Sequence, residues 1–261
     1  MQSIHRAATI LRQLAVDPGV PTGVSELARA TNLPKTLVHR TLRALVETGL
    51  AAQDADTLRY RLGQTSVELG AAAMGASGDL RAVASSMMRG ITEETGETSA
   101  LSVRVGNRRI YCAQIESAQN LRMSVDIGKY HPLYAGSAGR AMLATLADEE
   151  LDAYLAEVEL TSLTERTITD PDVLRQVLTQ DRALGYSASR GERVVAGAGV
   201  SVAITDAARR SVIGALSVVG PDERFADKAV PGFARALKRG AQTISQSCFG
   251  AAALQDSFVQ H

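Results

Sequence analysis

Residues 27–50 read LARATNLPKTLVHRTLRALVETGL, and this stretch decides the fold of the N-terminal part of the chain. A short helix ends near Thr31, and Asn32, Leu33 and Pro34 form a tight turn. Proline costs little in the first turn of a helix, where its missing N–H would have no partner anyway. The spacing predicts a helix over 35–47, ended by Gly49. On it Val38, Leu42, Leu45 and Val46 fall at i, i+4, i+7 and i+8 and share an apolar face. Thr36, His39, Arg40 and Arg43 share the opposite face. One face packs, and the other offers donors to phosphates or base edges.

Toward the N-terminus, Ile4, Ala7, Ala8, Leu11 and Leu14 recur at helical spacing, and Asp17-Pro18-Gly19 stops that helix. Ser25 is a suitable N-cap for the short helix through Glu26, Leu27 and Ala28. Toward the C-terminus come two short runs, 50–53 and 58–62, with 54–57 between them. In the second, Leu58, Tyr60 and Leu62 alternate with Arg59 and Arg61, which predicts a half-buried strand with a basic outer face. Helix, helix, turn, helix and basic hairpin is the order of a winged helix-turn-helix. Its third helix enters the major groove of double-stranded DNA and its hairpin touches the backbone. The residues expected at DNA are Ser25, Lys35, Thr36, His39, Arg40, Arg43, Arg59 and Arg61.

The 28 Lys/Arg and 28 Asp/Glu of the 261 residues cancel overall, but residues 1–65 hold 8 basic and 5 acidic side chains, a mildly basic head on a mildly acidic body. Apolar residues make up 45% of the chain, aromatics 4%, and Trp is absent, so aliphatic side chains must fill the cores. Cys112 and Cys248 lie far apart, and with His5, His39, His131 and His261 they form no metal-binding spacing. No signal peptide and no apolar run of about 20 residues is read, so a soluble cytoplasmic protein away from membranes is expected.

A linker helix is expected near 65–76, with Val67, Leu69, Ala73 and Met74 as its apolar residues, interrupted by Gly75, Ser77 and Gly78. Asp79 then caps a helix through Leu80, Val83, Met87 and Ile91. Beyond it, 99–105, 109–115 and 121–125 read as an antiparallel meander, with a Gly106-Asn107 turn joining the first pair. Two acidic helical stretches follow the Gly-rich residues 135–139, and a helix spans 171–184. Strands at 200–205 and 212–219 flank a turn at 206–210, and a last helix covers 228–248. The expected division is a DNA-binding domain over 1–64, a linker helix over 65–78, a ligand-binding domain over 79–250 and a tail over 251–261. The fold class is α+β.

Catalytic signatures are absent. Gly136-Ser137-Ala138-Gly139 lacks the first glycine of a nucleophile elbow, since Ala135 stands there. Gly197-Ala198-Gly199 opens like a dinucleotide loop, but Val202 occupies the third small position. No catalytic residue, cofactor or metal is therefore expected. The alternatives are an enzyme using the C-terminal pocket, with its groups drawn from separate loops, and an architectural DNA-binding protein. The large Gly-rich domain argues against the latter.

The Leu-Pro-Lys-Thr and Val-His-Arg pieces of 27–50, followed by Arg-Tyr-Arg-Leu-Gly at 59–63, resemble the IclR family of transcriptional regulators. Three further blocks, 94–117, 127–144 and 184–221, are similar to that family's second domain, so the resemblance covers nearly the whole chain. It implies a GAF-like domain, an antiparallel sheet flanked by helices, with one small-molecule pocket. Carried onto this chain, the family pocket implies Ser137, Ala138, Gly139, Ser189, Gly199, Ser217 and Val219 as effector-binding residues. Leu133, Val200 and Val219 would supply an apolar wall. A Gly-rich helix start at 136–139 would offer backbone N–H groups to a carboxylate.

The family often places an acidic run after Gly-Tyr. Here the stretch is Ser187-Ala188-Ser189-Arg190-Gly191-Glu192, and only Glu192 remains, which implies a less acidic pocket wall. A compact aromatic or similarly apolar acid is the expected effector. The resemblance further implies a homodimer or dimer of dimers on a two-fold operator. Repression of catabolic genes is favoured over activation.

Overall fold

The computed structural model describes residues 2–16, 20–73, 80–206 and 211–249. The expected breaks at 17–19 and 75–79, the turn at 207–210 and the tail at 251–261 lie outside them. The chain divides into two compact units, Met1–Ala76 and Ser77–His261.

The first unit opens with α1 (Gln2–Leu14), α2 (Val24–Thr31) and α3 (Lys35–Glu47). Ile10, Leu14, Leu27, Val38, Leu42 and Leu45 form its buried core together with Ala51 and Tyr60. Two expectations for the core differ. Ile4 is 78% exposed while Ile10 faces the core, and Val46 lies at the rim rather than inside. The N-cap of α2 is Gly23, not Ser25. The Glu26 carboxylate accepts the Gly23 N–H at 3.2 Å, which leaves Ser25 exposed in the first turn. Asn32, at φ 53°, closes α2, and Gly49, at φ 72°, follows α3, both in the left-handed region that ends helices.

The wing is the hairpin β1 (Ala51–Gln53) and β2 (Tyr60–Leu62), paired Ala51↔Leu62 to Gln53↔Tyr60. Tyr60 also exchanges two backbone bonds with Thr22, at 2.8 and 2.9 Å, tying the wing to the segment before α2. Leu58 does not continue the strand alternation. It sits at the hairpin tip with φ 55° and is 64% exposed. The helix α4 (Gln64–Ala73) follows the wing, with Val67 and Leu69 exposed.

The second unit contains α5 (Leu80–Thr95), β3 (Thr98–Val105), β4 (Arg108–Ile115), β5 (Tyr130–Pro132), α6 (Ser137–Leu143), α7 (Asp148–Glu157), α8 (Pro171–Leu184), β6 (Ser187–Arg190), β7 (Gly197–Asp206), β8 (Ser211–Pro221) and α9 (Val230–Phe249). The six strands form one antiparallel sheet in the order β5-β4-β3-β8-β7-β6. Helices α5 and α9 cover one face: a Cβ on Gly240 of α9 would meet Ile91 of α5 and Leu216 of β8. Ser217 and Ser201, one residue out of phase with Leu216 and Val202, point to the other face, where Ser201 meets Ser137 of α6. Thus α6 is sealed against the sheet, with α7 and α8 outside it around Leu133, Met142, Leu143, Leu151, Tyr154, Leu174 and Leu178.

The third strand of the meander is 130–132, not 121–125. Val125 gives its N–H to the Gln114 side chain at 2.8 Å instead of to a strand, and Leu121 is 63% exposed. Only one acidic helix follows the Gly-rich stretch, α7. The stretch itself enters α6, which carries Arg140 and no acid. The helix α8 has the expected bounds. The Asp170 side chain accepts the N–H groups of Asp172 and Val173 at 2.8 and 3.0 Å, and Gly185, at φ 68°, closes it.

Candidate DNA interface and effector cavity

On α3, Lys35, Thr36, His39, Arg40 and Arg43 are all exposed, opposite the buried Val38, Leu42 and Leu45. The helical period alone separates the two faces, so this array follows directly from the sequence. In the wing, Arg61 is exposed and uncommitted by any described ion pair, whereas Arg59 turns inward. Its Nε donates to the Pro21 carbonyl and its Nη2 to Glu26, both at 2.6 Å. Arg59 therefore pins the wing to α2, and Glu26, held below the usual carboxylate range first by the Gly23 N–H and then by Arg59, serves both contacts. That role was hidden because Arg59 and Glu26 are 33 residues apart.

In the second unit a small cavity of about 40 Å³ lies between the entry to α6 and the sheet. Its wall takes Gly136 and Ser137 from that entry, Ser189 from β6, Gly197, Ala198 and Gly199 from β7 and Val219 from β8. Arg109 and Tyr111 come from β4, Met123, Ser124 and Val125 from the loop after β4, and Glu192, Arg193 and Val194 from the loop after β6. The misread segment 121–125 is thus a wall of the cavity.

Of the nine expected effector residues, Ser137, Ser189, Gly199 and Val219 meet here. The other five do not line it. Leu133 and Ala138 are buried in the core beneath α6. Gly139 is a packing glycine, since a Cβ there would overlap the Leu133 carbonyl. Val200 is fully buried and, by strand alternation, points to the α9 face. Ser217 is fully buried behind the chain Ser137 Oγ–Ser201 Oγ–Ser217 Oγ, each link 2.8 Å.

Two of the backbone donors expected for a carboxylate are already occupied. The Gly136 N–H goes to Glu192 Oε2 at 3.0 Å, and the Ser137 N–H to Ser189 Oγ at 2.8 Å. Glu192 spends its other oxygen on Arg140 Nη1, and Arg140 in turn holds Asp181 with three bonds of 2.8–3.0 Å. All three charged side chains are buried. Burial pushes the carboxyl groups of Asp181 and Glu192 upward, while Arg140 pulls both back. The hydroxyls of Thr164 and Thr167 donate to the Gly191 and Glu192 carbonyls at 2.5 and 2.7 Å, fixing the loop that carries Glu192.

Arg109 is the residue the sequence reading passed over. It is 1% exposed, and its guanidinium lies 4.7 Å from the centre of the Tyr111 ring. Arg193 approaches the same ring at 5.9 Å. Burial holds Arg109 below the ordinary arginine range, Tyr111 opposes this and Arg193 adds to it. A signal was present: Arg108 and Arg109 are adjacent in a strand, so alternation sends one of them inward. Across the ladder His131 pairs with Arg109, and its ring meets Tyr111 at 5.6 Å.

Burial first, then Arg109 and Arg193, push His131 down to about 4, with Lys129 adding and Asp126 opposing. The unfolded chain takes up this proton near pH 6.5, the folded one only near 4. Stability is therefore lost as pH falls from 6.5 toward 4. His131→Gln is expected to flatten this part of a melting-temperature profile, and a profile parallel to wild type would refute the assignment.

Among the described residues, no three His, Cys, Asp or Glu side chains are grouped to hold a metal ion, and no helix is long and apolar enough to cross a membrane. A winged helix-turn-helix joined to a sheet-and-helix unit with an internal cavity defines the class of ligand-responsive transcription regulators. The profile of the IclR helix-turn-helix domain matches residues 3–55, and that of the bacterial transcriptional regulator IclR C-terminal domain matches 72–246. The chain belongs to the IclR family of bacterial transcriptional regulators.

It is 34% identical over 223 residues to the HTH-type transcriptional regulator KipR of Bacillus subtilis, covering 85% of this chain and 88% of KipR. It is 31% identical over 226 residues to the HTH-type transcriptional repressor AllR of Escherichia coli, covering 87% of this chain and 82% of AllR. The crystal structure of an IclR regulator from Alicyclobacillus acidocaldarius superposes with a TM-score of 0.82 at 27% identity, covering 95% of this chain and 99% of that one. These relatives are regulators, not enzymes.

Proposed function

We propose that this protein is a cytoplasmic repressor of catabolic genes that binds a two-fold operator as a homodimer or dimer of dimers and answers to a small organic acid. The exposed array Lys35, Thr36, His39, Arg40 and Arg43 carries the DNA reading, because the helix that bears it is held by a core on its other face alone. Ser25, at the start of α2, and Arg61, on the wing, add phosphate contacts, while Arg59 is committed to Glu26 and acts by holding the wing. One recognition helix reads too few base pairs for useful specificity, which favours two-fold pairing. The exposed Ile4 of α1 and Val67 and Leu69 of α4 are apolar residues available for it. The repressor assignment leans on the similarity to the repressor AllR.

Arg40→Ala is expected to weaken specific operator binding by about 1–3 kcal/mol and to relax sequence preference at one position. Gel shifts on the promoter of the gene's own operon measure it. Unchanged affinity together with unchanged preference would remove Arg40 from base reading.

A further inference from the structure

We infer that Arg109 is the anion anchor of the cavity, the residue that makes the regulator select a carboxylate over its neutral counterpart. This deepens the reading of the second unit as an effector-binding domain and rests on it. The guanidinium of Arg109 is almost wholly removed from water, yet its Nε and Nη1 have no hydrogen-bond partner. Tyr111 eases its burial through its ring face and a side-chain bond, but a buried cation with no anionic partner is still costly, and folded proteins keep one where something else supplies the counter-charge. No protein group in the cavity does so. Its one carboxylate, Glu192, has given its oxygens to Arg140 and to the Gly136 N–H.

The neighbouring basic residues do not relieve the deficit. Arg193 is a second cation at the same tyrosine ring, and His131 across the ladder is uncharged at neutral pH. A planar guanidinium with two free donors matches a carboxylate. The guanidinium comes from the β4 wall and its Nη2 reaches toward Gly136 at the α6 entry, so the anion sits beside that entry, where the Gly136 and Ser137 N–H groups are already bonded. The cavity is small, about 40 Å³, which favours a compact acid over a bulky one.

The test uses the full-length protein and a defined panel: acetate, glycolate, lactate and pyruvate, each beside its primary amide, with benzoate as the large acid. Calorimetric titration of wild type is expected to find at least one small acid bound about 30-fold or more tighter than its amide. Arg109→Met is expected to lose that acid by a similar factor, and Arg109→Lys to retain part of the affinity. Without ligand, Arg109→Met is expected to melt higher than wild type, because an unpaired buried charge has been replaced by an apolar chain. A merely structural arginine would give a lower melting temperature.

Equal binding of acid and amide, undiminished acid binding by Arg109→Met, or failure of every acid to bind wild type overturns the anchor. Binding of the neutral members alone does so while leaving the effector domain standing. Acid binding that needs Arg109 but leaves operator affinity unchanged upholds the anchor and overturns the effector reading.

Discussion

Replacing Arg140 by methionine is expected to cost about 3–5 kcal/mol of stability. Arg140 is the single cation between the buried carboxylates of Asp181 and Glu192, and it donates to both. Removing it strands two acids in a region where burial already pushes their pKa values upward. The loss exceeds the value of any one hydrogen bond, because the desolvation of both carboxylates is no longer offset. For a unit of this size the melting temperature should fall by roughly 6–20 °C.

The deficit has a pH signature. In the variant both acids bind protons more readily folded than unfolded, so its stability rises as pH falls through their raised folded values. The gap to wild type is therefore widest at neutral pH and narrows in acid. The triple change Arg140→Met, Asp181→Leu and Glu192→Leu should recover much of the stability, since an apolar replacement of a buried ionic group is often neutral or better. Melting curves between pH 5 and 8 check all of this. A single variant as stable as wild type at neutral pH would show that the cluster does not hold α6, α8 and the 191–196 loop together.

Gly139→Ala is expected to be worse than its single added methyl suggests, by about 3 kcal/mol or more, with loss of soluble second unit as the extreme outcome. Gly139 lies in the first turn of α6, where a Cβ would overlap backbone atoms of Leu133. Backbone cannot swing away as a flexible side chain can, so α6 would lift from the sheet and open the Ser137–Ser201–Ser217 hydroxyl chain. Gly90→Ala is the internal control. Gly90 lies in α5 with nothing within 4 Å of a Cβ, and there alanine should stabilise by about 0.5–1 kcal/mol through helix propensity. Both are read from thermal melts and from the soluble fraction on expression. Equal, small effects at the two positions would show that α6 packs against the loop before it more loosely than described.

The DNA-binding half was nearly complete in the sequence. Its elements are local, and a helical period assigns Val38 and Leu42 to the core and Arg40 and Arg43 to solvent with no knowledge of what packs where. The misplacements there are of two kinds. Ile4 and Ile10 point about 120° apart on a helix, and both flank the stripe of Ala7, Leu11 and Leu14, so only the facing helices select Ile10. Arg59 looked like a wing contact because its partner, Glu26, lies on another element.

The second unit was legible at the level of strands and helices and much less so at the level of its site. The cavity is assembled from five separate stretches of chain, and burial there depends on loop closure rather than on period. Ser137, Ser189, Gly199 and Val219 were recoverable because a family resemblance carried them. Gly139, Val200 and Ser217 came with the same stretches but turned to other neighbours, since one residue along a strand reverses the face it presents.

Thus the amino-acid sequence by itself determined the α+β class, the winged helix-turn-helix and which side chains of its third helix face outward, all products of local periodicity and turn chemistry. Tertiary structure alone decided which groups spend their hydrogen bonds on one another. It bonded Gly136 and Ser137 to Glu192 and Ser189, gave Arg140 two acids and left Arg109 with none. Charge balance in a buried site is a sum over groups brought together from distant positions, and no window along the chain contains that sum.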